Sequence, residues 1–441
     1  MLTFGHKKFK DNMDIIKKEK SIEFYRTKCM KCTKCVQKCN AIGICHLSMK
    51  GEGKERYLDF STENPCVNCG QCTLVCPFGS MVEQSYVEDV EKLLNDPTKV
   101  KIVQYAPSVR ASINEIFKME HNINVEKKIN SCLRVMGFDK VFDVNFGADI
   151  TSIIEAEELL ERLEKNENLP MFTSCCPSWV NFVKRYKPEL IPNLTTSMSP
   201  HIHAGMAYKT WWAEKNNIDP KNIVVVSVMP CTSKKDENFV YNGMNAVDYS
   251  LTVREFGKLI KNKNIDFANI EESEADQLGE YSGGAVIYGK SGGVMESALR
   301  VVKKKLEGIT LENVVFNDVS FEDISFREAN VSVADKNIKI AIIHTPKNVR
   351  KFIESGKYKE YQYVEVMNCN SGCINGGGQP LLPPKPNAEV ELIEKRKNIL
   401  NDLDRNKKDK RNALDNLNVK EYLSWSSDKD FKKNLFYTKF N

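Results

Sequence analysis

The chain has 441 residues, room for two or three domains around at least one large core. Its 64 Lys and Arg nearly balance 59 Asp and Glu, for a formal charge of +5. No arginine-rich stripe interleaves with aromatics and no run approaches the roughly 20 apolar residues of a membrane span, so neither a nucleic-acid binder nor a membrane-spanning protein is expected.

The start of the chain, Met1 to Lys20, is polar and lysine-rich and has no apolar h-region, so a cytoplasmic location is expected. In that reducing compartment the 15 cysteines are poor disulfide candidates, and clustered thiols mean metal. Residues 1–50 hold 12 Lys or Arg against 4 Asp or Glu. This basic end reads either as a docking face for an acidic electron carrier or as a solvated lead-in over residues 1–19.

Between residues 20 and 90, Cys29-x2-Cys32-x2-Cys35-x3-Cys39 is followed by Cys66-x2-Cys69-x2-Cys72-x3-Cys76-Pro77. The doubled run resembles bacterial two-cluster ferredoxins, although Asn40 stands where the first motif usually has proline. Three cysteines at two-residue gaps wrap three corners of a cube, and the fourth points away to the other cluster. Carried over, Cys29, Cys32, Cys35 and Cys76 hold one [4Fe-4S] cluster, and Cys66, Cys69, Cys72 and Cys39 the other. Zinc also takes C-x2-C pairs, but usually two pairs across a longer loop. Cys45 fits no spacing and reads as a buried apolar thiol, with His46 a surface or packing residue. A small α+β ferredoxin-like domain that passes electrons predicts a redox centre elsewhere.

From residue 98 to 380, short apolar runs alternate with helical stretches. Lys101 to Tyr105, Val141 to Val144, Ile223 to Val228, Ile340 to Ile343 and Val364 to Val366 read as strands, and Thr151 to Leu163 and Val294 to Lys305 as helices. The pattern predicts an α/β domain with largely parallel sheets, whose ligands gather at the C-terminal strand ends. Three loops put cysteine directly after what reads as a buried strand, Thr173-Ser174-Cys175-Cys176-Pro177, Met229-Pro230-Cys231-Thr232-Ser233-Lys234, and Met367-Asn368-Cys369 running on to Cys373-Ile374-Asn375-Gly376-Gly377-Gly378.

These loops, with Phe146-Gly147-Ala148-Asp149, Glu280-Tyr281-Ser282-Gly283 and Gly292-Gly293-Val294-Met295-Glu296, resemble the [FeFe]-hydrogenases of the monomeric clostridial type, over residues 20 to 380. The resemblance implies a two-lobed catalytic domain that interconverts H2 with protons and electrons. It implies that Cys176, Cys231, Cys369 and Cys373 bind a [4Fe-4S] cube, which Cys373 bridges to a di-iron subsite with CO, cyanide and azadithiolate (together, the H-cluster). Ala106, Pro107, Ser108, Met229, Pro230, Ser199, Met367 and Gly377 would surround this cofactor. Lys234 is suited to a charge-assisted hydrogen bond to cyanide. The implied partners are ferredoxin or flavodoxin as carrier, and maturation enzymes that insert the di-iron subsite.

Splitting H2 releases protons that must leave. By resemblance, Cys175 relays them through a water to Glu155, then Thr195, where the family commonly has serine, then Glu158. Glu155 and Glu158 are i and i+3 on one predicted helix, so they share a face, and their repulsion should raise at least one pKa. A solvated acidic face that includes Glu157 and Glu161 is the plainer reading. Met198, His201 and Asn368 depart from the usual lysine, glutamine and alanine, and His201 reads equally as an extra titratable donor or as a packing residue. Residues 381–441 read as a charged helical extension that docks through Tyr422, Leu423, Trp425, Phe431, Phe436, Tyr437 and Phe440. The alternatives are a non-catalytic H2 sensor and a hydrogenase-like iron–sulfur assembly factor. The family's assembly factors lose the paired cysteines of the first loop and the relay acids.

Overall fold

The computed structural model describes residues 15–18, 21–120, 124–383, 385, 387–427 and 435–440. The basic lead-in therefore falls mostly outside the described residues. Its end does not, because the strand Ile15–Lys18 pairs antiparallel with Ile22–Tyr25, which in turn pairs with Met81–Glu83. A hairpin of Leu47–Lys50 and Tyr57–Phe60 and the helices Lys34–Ile42 and Gln71–Leu74 complete this front unit.

Behind it stand two sheets. One is wholly parallel, in the order Tyr249–Thr252, Ile223–Met229, Val100–Tyr105, Lys140–Asp143. The other is mixed. Asn317–Phe321, Ile324–Val333 and Lys336–His344 run antiparallel, and Tyr363–Met367 and Met171–Phe172 continue the sheet in parallel. The parallel strands are runs of Val and Ile buried on both faces, as helix-covered strands must be. The antiparallel strand Ile324–Val333 instead alternates buried and exposed residues.

Between the sheets runs the helix Val144–Lys165, started by Asp143, whose side chain accepts from Asn145 N, and closed by Asn166 in the left-handed region. Gly147 lets it meet the helix Pro200–Ala207, because a Cβ there would lie 1.9 Å from Pro200 O. One core takes Ile102 and Val225 from the first sheet and Ile340 and Tyr363 from the second. The segment after residue 381 docks through buried Leu400, Tyr422 and Phe436, and Phe431 lies outside the described residues. Its buried pair Asp404–Arg300 would cost roughly 3–5 kcal/mol to break from one side. Among the described residues no helix is long and apolar enough to cross a membrane.

Candidate metal centres

The two front motifs fold alike. Lys31 and Thr33 have φ of 54° and 67°, and Asn68 and Gly70, at the matching positions, have 62° and 70°. These left-handed residues curl each loop so that its thiols face inward. One cavity is bordered by Cys29, Cys32, Cys35 and Cys76, and a second by Cys39, Cys66, Cys69 and Cys72. The last cysteine of each motif thus stands with the first three of the other, an interlocked arrangement unlike separate zinc pairs. Burial and then Cys76 push the Cys35 thiol up to about 12. Cys45 belongs to neither group and is exposed at a φ of 57°, which corrects its reading as a buried thiol. His46 is buried, with Nδ1 at 2.8 Å from Asn64 O, a packing role.

The three later loops converge. Each follows the C-terminal end of a strand, Met171–Phe172, Ile223–Met229 or Tyr363–Met367. Burial, then Cys176, Cys231 and Cys369, raise the Cys373 thiol. Burial, then Cys176, push Cys231 up to about 11. Four thiolates buried together repel one another and lack solvation, so positive metal is what lets them ionise side by side, and an all-thiolate set selects iron–sulfur chemistry or zinc. Beside them lies a cavity walled by Ala106, Pro107, Ser108, Met229 and Pro230, with Cys175, Cys231, Lys234, Cys373 and His201 also on its border. Ser108 Oγ and His201 Nδ1 are buried there without a hydrogen-bond partner among the described residues. The donor set and these two polar atoms fit a cube with an attached polar subsite.

Charge in the cavity wall is arranged by a residue that sequence reasoning missed, Glu237. Lys234 Nζ donates to Glu237 Oε2 at 2.5 Å and to Cys175 O at 3.2 Å, leaving the ammonium one N–H for a ligand. Despite burial, Lys234 and His201 hold the Glu237 carboxyl down at about 2. An ionised carboxylate only accepts, so at 2.7 Å His201 Nε2 carries the hydrogen and donates it to Glu237 Oε2. Burial, then Lys234, lower the His201 pKa and keep the ring neutral. Its Nδ1 is therefore an acceptor.

Behind Cys175 stands Glu155, buried, with Oε1 accepting from Tyr363 Oη at 2.6 Å and Oε2 without a partner among the described residues. Its pKa rises to about 8, chiefly by burial, while repulsion from Glu158 is a lesser cause. The Cys175 thiol is raised by burial and then by Glu155 itself. Glu158 lies nearer the surface. It accepts from Thr195 Oγ1 at 2.7 Å, from Thr196 N at 2.9 Å and from Arg162 Nη2 at 2.6 Å. Arg162 and Thr196 were also missed, although Arg162 is four residues past Glu158, the spacing of a helical ion pair. Glu157 and Glu161 instead pair outward, with Lys305 and Lys165.

Three of the expected cofactor neighbours, Ser199, Met367 and Gly377, are not on the border of this cavity. Ser199 borders an outer cleft with Met198, Asp236 and Glu237. Met367 packs in the core cluster that Cys175 and Cys176 touch. Gly377 faces the front unit, where a Cβ would lie 2.1 Å from Cys69 O. The glycines permit close approach to protein backbone: a Cβ on Gly376 would lie 2.3 Å from Pro230 O. The front unit is tied in further by Gln71 Nε2, which donates to Cys369 Sγ at 3.2 Å and Asn375 O at 2.7 Å.

Residues 99–377 match the family described as iron only hydrogenase large subunit, C-terminal domain. Iron hydrogenase 1 of Clostridium pasteurianum is 40% identical over 441 residues, covering 94% of this chain and 75% of that protein. Apo [FeFe]-hydrogenase HydA1 from Chlamydomonas reinhardtii is similar in structure with a TM-score of 0.70 at 30% identity, covering 81% of this chain and 98% of that one. The cytosolic Fe-S cluster assembly factor narfl of Xenopus tropicalis is 26% identical over 419 residues, covering 88% of this chain and 85% of that protein.

Proposed function

The chain belongs to the iron-only hydrogenase family, and from that premise we propose that it interconverts H2 with protons and electrons, exchanging the electrons with a ferredoxin or flavodoxin. The observation that carries this reading is the convergence of Cys175, Lys234, Cys231 and Cys373 on one cavity, with Glu155 raised behind it. Cys176, Cys231, Cys369 and Cys373 would hold the [4Fe-4S] cube, and Cys373 would bridge it to the di-iron subsite. When bound, that centre supplies the site where H2 is split or formed.

The chain's own residues then handle charge. Lys234, fixed by Glu237, presents one N–H to the subsite, and Ser108 and His201 add a donor and an acceptor. Cys175 Sγ takes up or gives back the proton. Glu155, near its midpoint at about pH 8, holds it next, because an acid titrating near the working pH can both accept and release. Thr195 Oγ1 passes it to Glu158, from which it reaches the surface beside Arg162. The two front cavities would hold the clusters that carry electrons, and Gln71 and the Gly377 contact support a short path from the second of them to Cys369.

Assayed after maturation with a reduced carrier, the protein should evolve H2, and in H2 it should reduce the carrier. An assembly factor or a non-catalytic sensor would do neither. The carrier should dock beside the first front cavity, where Met30 and Phe78 are 67% and 51% exposed next to exposed Lys31 and Lys34. Lys38 is not part of that face, because its ammonium pairs with Glu389 at 2.8 Å. Opposite charges are screened beyond about 8–10 Å at physiological salt. Raising salt, or making Lys31→Glu and Lys34→Glu together, should lower the second-order rate with the protein carrier while turnover with a small neutral mediator stays nearly constant. Carrier rates that ignore both changes would place electron entry on another face.

A further inference from the structure

The turn that bears Cys373 is unusual backbone. Ser371 and Gly372 have φ of 65° and 90°, the first a strained value for a side chain with a Cβ. Such a turn persists only if its surroundings hold it. Three consecutive carbonyls after it are each held by a side chain. Gln379 Nε2 donates to Cys373 O at 3.1 Å, Arg396 Nη1 to Ile374 O at 2.6 Å, and Gln71 Nε2 to Asn375 O at 2.7 Å.

Arg396 belongs to the helix Ala388–Asn406, which lies past residue 377, where the family match ends. Its guanidinium is buried and aimed by Glu115, with bonds of 2.7 and 2.6 Å from Nε and Nη2. Two helical turns before it, Glu389 accepts from Asn375 Nδ2 at 2.8 Å and from Lys38 Nζ at 2.8 Å. Lys38 sits on the front helix Lys34–Ile42, one residue before Cys39. The C-terminal helix therefore grips the Cys373 turn at two points and ties one of them to the front unit.

We infer that the helix Ala388–Asn406 is a clamp on the metal centre, with Arg396 and Glu389 acting as positioning residues that set the placement of Cys373. The inference rests on the reading of Cys373 as a cluster ligand. The extension, taken from sequence as a docked appendage, becomes part of the site's frame. A solvated or merely packing helix would need neither a buried arginine spent on one carbonyl nor a carboxylate shared between two units.

The test uses the full chain with its [4Fe-4S] clusters and without the di-iron subsite. Arg396→Met is paired with Glu115→Gln so that no buried carboxylate is stranded, and Glu389→Gln, at a half-exposed site, serves as a milder second variant. The expected result is an altered electron paramagnetic resonance spectrum and a shifted midpoint potential for the cube at Cys373, with the signals of the two front clusters unchanged. In the metal-free chain, amides 371–376 should lose hydrogen-exchange protection while the sheets keep theirs. Unchanged cube signals and unchanged exchange in both variants would overturn the clamp, as would equal losses at all three clusters, which mean a general loss of stability. A cube signal missing from the unaltered chain would instead overturn the ligand reading, and the exchange result would still decide the clamp.

Discussion

Cys175→Ala is expected to keep its iron and its infrared bands of metal-bound CO and cyanide while losing nearly all H2 turnover. Cys175 borders the cavity with Lys234, and after burial Glu155 is the largest cause that raises its thiol, whereas Cys176, Cys231 and Cys369 are the thiols that raise Cys373. On the proposed reading it moves a proton and is not a ligand. Alanine removes the thiol placed between the cavity and Glu155 to take the proton, and a positioned acid or base contributes about 10²–10⁴-fold to turnover. Loss of the cube in this variant would mean that Cys175 and Cys176 have exchanged roles.

The second large effect is expected at Glu155→Gln, which keeps the shape and can still accept from Tyr363 Oη. What it loses is the carboxyl that titrates near pH 8, so turnover should again fall by about 10²–10⁴-fold, with the centre assembled. The sign of the shift adds a control. Burial disfavours the charged form, so the wild-type group is mostly protonated at pH 7 and ionises as pH rises through about 8. The pH dependence of turnover near 8 should therefore disappear in the glutamine variant. Near-normal activity would assign proton exit to another route.

The contrast between local and distant features explains what could be read from sequence. Cysteine spacings, the Val-rich parallel strands and the shared face of Glu155 and Glu158 are local patterns, and the structure carries each of them. The strand Ile324–Val333 was missed because a search for apolar runs overlooks a strand that alternates. Repulsion was expected to raise a carboxyl pKa. Burial is the larger cause at Glu155, and burial depends on neighbours such as Tyr363, more than 200 residues away in sequence. Glu237 was legible in principle, three residues after Lys234, but its hold on His201 crosses 36 residues and depends on packing. The grip of Arg396 on Ile374 and the approach of Gly377 to Cys69 are likewise products of tertiary assembly. Cys45 shows the limit of a composition rule, since free thiols are usually buried and this one lies on a left-handed, exposed turn.

Infrared spectroscopy of the matured protein tests the central claim most directly, because metal-bound CO and cyanide absorb where protein does not. The account predicts sharp bands of both ligands that change when the gas is switched from argon to H2, and that vanish in Cys373→Ser while the front clusters remain. A protein carrying its iron–sulfur clusters after maturation, yet showing no such bands, would contradict it.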